Sequence, residues 1–186
     1  MSSGTIVALA TPTGRSGIGV IRMSGSHALG ITRKLVNDQQ FSPETRYATL
    51  KQLHDPFTNE VIDEAIITYF KAPHSFTGED VVEISCHGSP VLLRQVIDIC
   101  LRLDARMAEA GEFSLRALAN GRMNLAQAEA IRDLIDAQTT ASARQASVPT
   151  CGAGTPSTPG MPTPTATAWS APEAHCTGGV YLSWSR

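Results

Sequence analysis

Two charged residues fall inside segments that are otherwise apolar enough to form a sheet. Arg22 lies in the run GVIRMSG (19–25), and Glu83 lies in DVVEISC (80–86). A charge in a sheet either faces solvent or is buried, and a buried charge must be paired or must hold a ligand. An arginine can hold a carboxylate through two parallel bonds, and a carboxylate can accept two N–H bonds from the edge of a heterocycle. Both interpretations stay open at this point.

Arg122 is the third candidate, and it follows Asn120-Gly121 in a densely polar segment. Most charged residues in turns are simply solvated. A cation in a tight glycine-containing turn between two helices can also be aimed into a cleft. Together, Arg22, Glu83 and Arg122 would suit a ligand with a cyclic donor edge and an anionic tail.

Two helices are predicted on either side of this turn, in the run GEFSLRALANGRMNLAQAEAIRDLIDA (111–137). Glycine takes the left-handed conformation that ends a helix at little cost, so Asn120-Gly121 indicates the end of the first helix. Asn124 can cap the second helix, with Gln127 reaching back to complete a capping box. We expect the second helix to continue to about Ala146.

The elements that must position these residues can be read from apolar periodicity. Strands are expected over residues 5–11, 19–25 and 80–86, and a hairpin over 47–53 and 61–70. Ser24 or Ser26 could cap a helix that runs through Leu35, and another helix starts near Pro90. Strands followed by helices predict an α+β fold, with a mixed sheet and packed helices.

Composition and motifs restrict the functions to consider. The formal net charge of -2 argues against a protein that grips a nucleic-acid backbone by itself. No sequence of the form G-x-x-x-x-G-K-[ST] occurs, so the chain has no P-loop and is predicted inactive as a GTPase. Its cysteines lack C-x-x-C spacing, and no metal site is expected. No membrane span or signal peptide is evident, which indicates a cytoplasmic protein.

The composition changes near residue 148. Residues 148–186 are rich in proline and carry two charged side chains, Glu173 and Arg186. Repeated proline prevents helix hydrogen bonding, and few residues here could form a core. We expect a disordered tail.

Three segments resemble the N-terminal region of the tRNA modification GTPase family MnmE, also called TrmE. They are TIVALATPTGRSGIGVIRMSG, SFTGEDVVEISCHGSP and GEFSLRALANGRMNLAQAEAIRDLIDA, in the family's order and spacing over about residues 4–146. The sequence departs from the family at Ala110, Ser89 and Asn124, where Pro, Gly and Asp are usual, and keeps every candidate charge. The family would continue the last helix beyond residue 146, so we expect a truncation or a frameshift there.

The resemblance implies a domain organisation and a set of ligand contacts. Residues 1–121 would be an aminomethyltransferase-like domain that binds folate and dimerises, and residues 122–147 would begin a helical domain. The folate would be a tetrahydrofolate derivative of the 5-formyl or 5,10-methylene type. The family's folate-contacting positions fall on Arg22, Glu83 and Arg122, and no catalytic residue is implied for this part of the protein.

Members of the family also contain a Ras-like GTPase domain, to which GTP, Mg²⁺ and K⁺ belong. With a flavin-dependent partner, MnmG, they place a carboxymethylaminomethyl or aminomethyl group on the wobble uridine of certain tRNAs. The resemblance therefore implies a homodimer that acts with an MnmG-type protein on tRNA.

Two other functions remain open at this level, and it is also open whether the chain is itself an enzyme. The first is a stand-alone folate-dependent one-carbon transferase, for which Cys86 and His87 are the candidate reactive groups. The second is a dimerisation module without a ligand. Folate titration would separate the second from the others, and turnover of a one-carbon donor would identify the first.

Overall fold

The computed structural model describes residues 4–146, which belong to one compact unit, Met1–Thr150. The predicted disorder of residues 148–186 concerns a segment outside the described residues. The predicted boundary between residues 1–121 and 122–147 stays a prediction. No helix in the described part of the chain is long and apolar enough to cross a membrane.

In the described part of the chain, six strands form one sheet, which confirms the predicted α+β class with a mixed sheet. They are β1 (Ile6–Leu9), β2 (Ser16–Ser24), β3 (Ala48–His54), β4 (Val61–Phe70), β5 (Val81–Gly88) and β6 (Arg106–Met107). Their order in the sheet is β3-β4-β5-β2-β1-β6. β6 pairs parallel to β1, and the other neighbours are antiparallel. The predicted hairpin is β3 and β4.

The two faces of the sheet differ because side chains alternate along each strand. On β5, Val82, Ile84 and Cys86 are buried in the hydrophobic core. Glu83 lies between them in sequence and is half-buried on the other face. Each large aliphatic side chain that is fully buried contributes about 1.5–3 kcal/mol, so this alternation fixes which face of the sheet carries the charges.

Within residues 4–146, five helices accompany the sheet: α1 (Ala28–Leu35), α2 (Pro90–Arg102), α3 (Glu112–Ala119), α4 (Leu125–Asp136) and α5 (Thr140–Ala146). α1 and α2 bury apolar residues such as Leu35 and Leu93 in the core beneath the sheet. α2 packs closely against β2, since a Cβ atom on Gly19 would come within 2.6 Å of the Leu93 side chain. Pro90 stands at the start of α2, as predicted.

The capping box of α4 is confirmed. The side chain of Asn124 accepts from Gln127 N at 2.8 Å, and Asn124 N donates to Gln127 Oε1 at 2.9 Å. The predicted cap of α1 is wrong. Its N-cap residue is His27, which makes no side-chain capping bond. Ser24 instead belongs to β2, and its hydroxyl is bonded to residues of the β4–β5 connection.

The single helix predicted from Asn124 to about Ala146 is also wrong, because α4 ends at Asp136 and α5 starts at Thr140. Thr139 and Ser142 explain the break. Thr139 Oγ1 accepts from Ser142 N at 3.1 Å, while Ser142 Oγ accepts from Thr139 N at 3.2 Å. This reciprocal pairing satisfies the first N–H groups of a new helix and competes with continuation of the old one.

Candidate functional site

Arg22 and Glu83 form an ion pair on the face of the sheet opposite the core. The two residues are directly opposite each other in the β2–β5 register. Nε and Nη2 of Arg22 donate to the same oxygen, Oε1 of Glu83, at 2.8 and 2.6 Å. Their side chains keep 31% and 26% exposure, so a ligand could reach them. Within residues 4–146, Oε2 of Glu83 has no hydrogen-bond partner.

Two aromatic rings stand beside this pair, and sequence reasoning missed both. The guanidinium carbon of Arg22 lies 5.7 Å from the ring centroid of Phe76 and 6.0 Å from that of Phe113. Phe76 lies between β4 and β5, and Phe113 lies on α3. Their sequence signal is the phenylalanine within each polar motif, SFTGED and GEFS. The rings supply flat apolar surfaces next to a charged pair.

Arg122 is exposed and makes no hydrogen bond or salt bridge with Arg22 or Glu83 within the described part of the chain. Its Nε donates to the carbonyl oxygen of Ser75 at 3.2 Å. Ser75 directly precedes Phe76, whose ring faces Arg22. The three predicted residues are therefore linked through one segment, residues 75–79, which we call the 75–79 loop.

The 75–79 loop is held closely against the turn between α3 and α4. Asn120 Nδ2 donates to the carbonyl oxygen of Thr77 at 2.7 Å. Gly78 has a φ of 80°, a conformation that glycine adopts readily. A Cβ atom at Gly78 would lie 3.0 Å from Cγ of Arg122 and 3.1 Å from Cβ of Asn120. The turn after α3 thus positions both Arg122 and the loop that carries Phe76.

A buried charge network anchors α3 to the sheet, and no sequence pattern predicted it. Arg116 donates to Glu79 Oε2 at 2.8 Å and to Glu112 Oε1 at 3.1 Å. It also donates to the carbonyl oxygen of Gly4 at 2.8 Å. Arg106 pairs with Glu112 from the opposite side. Arg116 is 7% exposed and Glu112 is 8% exposed. Each of these charges therefore depends on the other to offset the free-energy cost of removing it from water.

We expect Glu112 to make stability depend on pH in the acidic range. The hydrogen bond from Arg106 outweighs the effect of burial and lowers the pKa of Glu112 from 4.5 to about 2. A carboxyl whose folded pKa is lowered contributes stability above its unfolded pKa and loses it as pH falls through the folded value. The urea midpoint of unfolding should therefore decrease as the pH is lowered from 6 to 2. It should decrease less steeply in Glu112→Gln.

The matched control is Glu129→Gln, because Glu129 is exposed on α4 and is in no salt bridge within the described residues. Its urea midpoints should follow those of the unmodified protein at each pH. Equal slopes for Glu112→Gln and the unmodified protein would contradict the assignment.

Cys86, one of the two candidate reactive groups, is buried. Burial raises the pKa of its thiol to about 11, so the reactive thiolate is disfavoured at neutral pH. Its Sγ donates weakly to the carbonyl oxygen of Gly19 at 3.7 Å. The structure gives Cys86 the character of a packing residue.

The described part of the chain resembles known proteins over most of its length. Residues 5–122 match the family model described as the GTP-binding protein TrmE N-terminus. The chain belongs to the MnmE (TrmE) family. The match covers all the strands, α1–α3, and the candidate residues Arg22, Glu83 and Arg122.

Curated relatives support the same assignment. The chain is 49% identical over 144 residues to the tRNA modification GTPase MnmE of Koribacter versatilis (strain Ellin345), covering 76% of this chain and 32% of the relative. It is 52% identical over 141 residues to the MnmE of Aromatoleum aromaticum and 51% identical over 142 residues to that of Francisella tularensis subsp. tularensis. These two alignments cover 76% of this chain and 30% of each relative. The chain thus spans about a third of the length of these MnmE proteins.

Proposed function

We propose that this chain is the tetrahydrofolate-binding N-terminal part of a tRNA modification GTPase. The observation that carries the proposal is the Arg22–Glu83 pair, in which Oε2 of Glu83 has no partner among the described residues and two aromatic rings lie beside Arg22. The family membership supports it independently, because the chain keeps the three charges at positions that the family resemblance assigns to folate.

The residues present fit a folate of the 5-formyl or 5,10-methylene type. A pterin ring presents adjacent N–H donors on one edge, and a carboxylate such as Glu83 accepts donors of this kind. Phe76 and Phe113 would pack against the flat ring, and Arg22 would hold the Glu83 side chain in position. Arg122 keeps both Nη groups available for an anionic part of the ligand, since its described bond uses Nε. When bound, the folate supplies the one-carbon group.

The proposed homodimer is supported by apolar side chains on the same face of the sheet. Leu50 and Ile66 are paired across β3 and β4, and they are 60% and 43% exposed. Ile66 is in turn paired with Ser85, two residues from Glu83 on β5. Exposed aliphatic residues grouped on one sheet face are typical of protein contacts. A second copy of the chain on this face would also shield the Arg22–Glu83 pair from water.

The remaining functions belong to the complete protein and are proposals for this chain. We propose that the complete protein acts in the cytoplasm on the wobble uridine of tRNA, together with an MnmG-type flavin-dependent partner. GTP, Mg²⁺ and K⁺ would bind its GTPase domain.

Calorimetric titration with 5-formyltetrahydrofolate tests the ligand assignment. We expect binding to the unmodified chain and a loss of about 1–3 kcal/mol of binding free energy in Glu83→Gln, because ring donors would lose a charged acceptor. Arg22→Ala and Arg122→Ala should also weaken binding. Absence of folate binding by the unmodified chain would refute the proposal, and equal affinity in all three variants would refute the site.

Arg94→Ala is the control, because Arg94 is exposed on α2, away from the candidate site. Its folate affinity should be unchanged. Circular dichroism and sedimentation velocity on each variant would show whether a lower affinity arises from unfolding or from an altered dimer.

A further inference from the structure

A second group of polar residues meets at the far end of the β2–β5 ladder. Ser16 and Gly88 are paired there, and the register is irregular between Ser16 and Gly19. A Cβ atom on Gly88 would lie 2.1 Å from Oγ and 2.5 Å from the carbonyl oxygen of Ser16. Glycine at position 88 therefore permits the close approach of Ser16, and Arg15 and His87 are the residues that precede this pair in the chain. Irregular pairing of this kind often redirects side chains beside a functional site.

His87 is held in one orientation by Asp63 of the neighbouring strand. Asp63 accepts from the main-chain N–H of His87 at 2.9 Å, and its other oxygen lies 2.8 Å from Nδ1 of the ring. The Asp63 side chain is 10% exposed, whereas that of His87 is 74% exposed. Although burial alone raises the pKa of Asp63, its bonds to His87 keep that pKa below the usual value. A charged carboxylate thus orients the imidazole and leaves Nε2 accessible.

These residues line a surface depression of about 410 Å³. Its lining contains an arginine, a histidine and two hydroxyl groups but no acidic residue: Arg15, Ser16, Gly17, His87, Gly88 and Ser89. Arg15 makes no hydrogen bond or salt bridge with any residue in the described range 4–146. An exposed guanidinium and an oriented imidazole beside one concave surface are suited to anionic oxygen atoms.

We propose that this depression binds an oxyanion, a carboxylate or a phosphate, between the guanidinium of Arg15 and Nε2 of His87. Asp63 holds the imidazole through Nδ1, and it acts from outside the lining of the depression. Asp63 is therefore a positioning residue, and Arg15 and His87 are the binding residues.

Two sources could supply the oxyanion. At about 3.4 Å per residue, the four positions from Glu83 to His87 place the two sites roughly 13 Å apart along β5. A folate with its ring at Glu83 has a glutamate tail that could extend toward this depression instead of toward Arg122, an alternative that rests on the proposed function. A phosphate of the RNA backbone could bind it independently of folate.

Arg15→Gln distinguishes these sources when it is studied with matched ligands. In calorimetry, 5-formyltetrahydrofolate is compared with 5-formyltetrahydropteroate, which lacks the glutamate. In a separate experiment without folate, NMR follows the His87 ring during titration with inorganic phosphate and with the dinucleotide UpU at constant ionic strength. Arg94→Gln serves as the control and should behave like the unmodified chain in both experiments.

If the oxyanion is the carboxylate of the glutamate tail, Arg15→Gln should lower the affinity for 5-formyltetrahydrofolate by about tenfold. The affinity for 5-formyltetrahydropteroate should be unchanged. A phosphate source predicts a saturable shift of the His87 resonances that Arg15→Gln removes. UpU reproduces this shift if the phosphate is that of an RNA backbone. The proposal is overturned if Arg15→Gln changes neither measurement. A phosphate response in a chain that does not bind folate would reject the proposed function and keep the oxyanion site.

Discussion

Replacing Arg116 with methionine should lower the free energy of unfolding by about 3–5 kcal/mol. Methionine fills much of the volume but leaves Glu79 without its cation and Glu112 with Arg106 as its remaining cation. Removing one partner of a buried charge network costs this much because the remaining charges stay desolvated. Urea denaturation followed by circular dichroism at pH 7 would measure the change.

Arg132→Met is the matched control for Arg116→Met. Arg132 pairs with Asp133 on α4, and their side chains are 75% and 60% exposed. An exposed ion pair contributes at most about 1 kcal/mol, so the control should unfold at nearly the urea concentration of the unmodified chain. Similar losses in the two variants would show that burial does not set the importance of Arg116.

Ile67→Ala should destabilise the protein by about 2–5 kcal/mol. The side chain of Ile67 is fully buried in the core, opposite Ile84 of β5. Its truncation removes favourable transfer free energy and leaves a cavity that the packed sheet and helices fill incompletely. The difference in urea midpoint from the unmodified chain gives the effect.

Ile66→Ala tests the assignment of the two faces with the same substitution one residue away. Ile66 is 43% exposed on the opposite face of β4. Its truncation should cost less than about 1 kcal/mol when measured at a protein concentration too low for association. A larger loss for Ile66→Ala than for Ile67→Ala would mean that the faces are assigned the wrong way round.

The charge network of Arg116 also bears on the proposed ligand site. Arg116 contacts Glu79, which lies at the end of the 75–79 loop, and Asn120 holds Thr77 in the same loop. Arg122 donates to the carbonyl oxygen of Ser75, so Phe76 lies between two bonded residues, Ser75 and Thr77, while its ring faces Arg22. A site held by such supporting contacts loses less conformational freedom on binding than a mobile loop would.

The sequence by itself determined the parts of the structure that depend on neighbouring residues. Periodicity over residues 80–86 predicted the strand β5, and Asn124 with Gln127 specified the start of α4. Both features are local: a strand repeats every two residues, and a capping box closes within one helical turn. The family could also be recognised, because its motifs are long stretches of contiguous sequence.

Tertiary structure decided which distant residues meet. Arg22 and Glu83 were selected as isolated charges, but the β2–β5 register makes them a pair, and that register depends on the whole sheet. Phe76 and Phe113 come beside Arg22 only when the 75–79 loop and α3 pack together. Such contacts are set by strand register and helix packing, which combine many weak interactions over long sequence separations. Local periodicity carries no information about which residues that are far apart in sequence will come into contact.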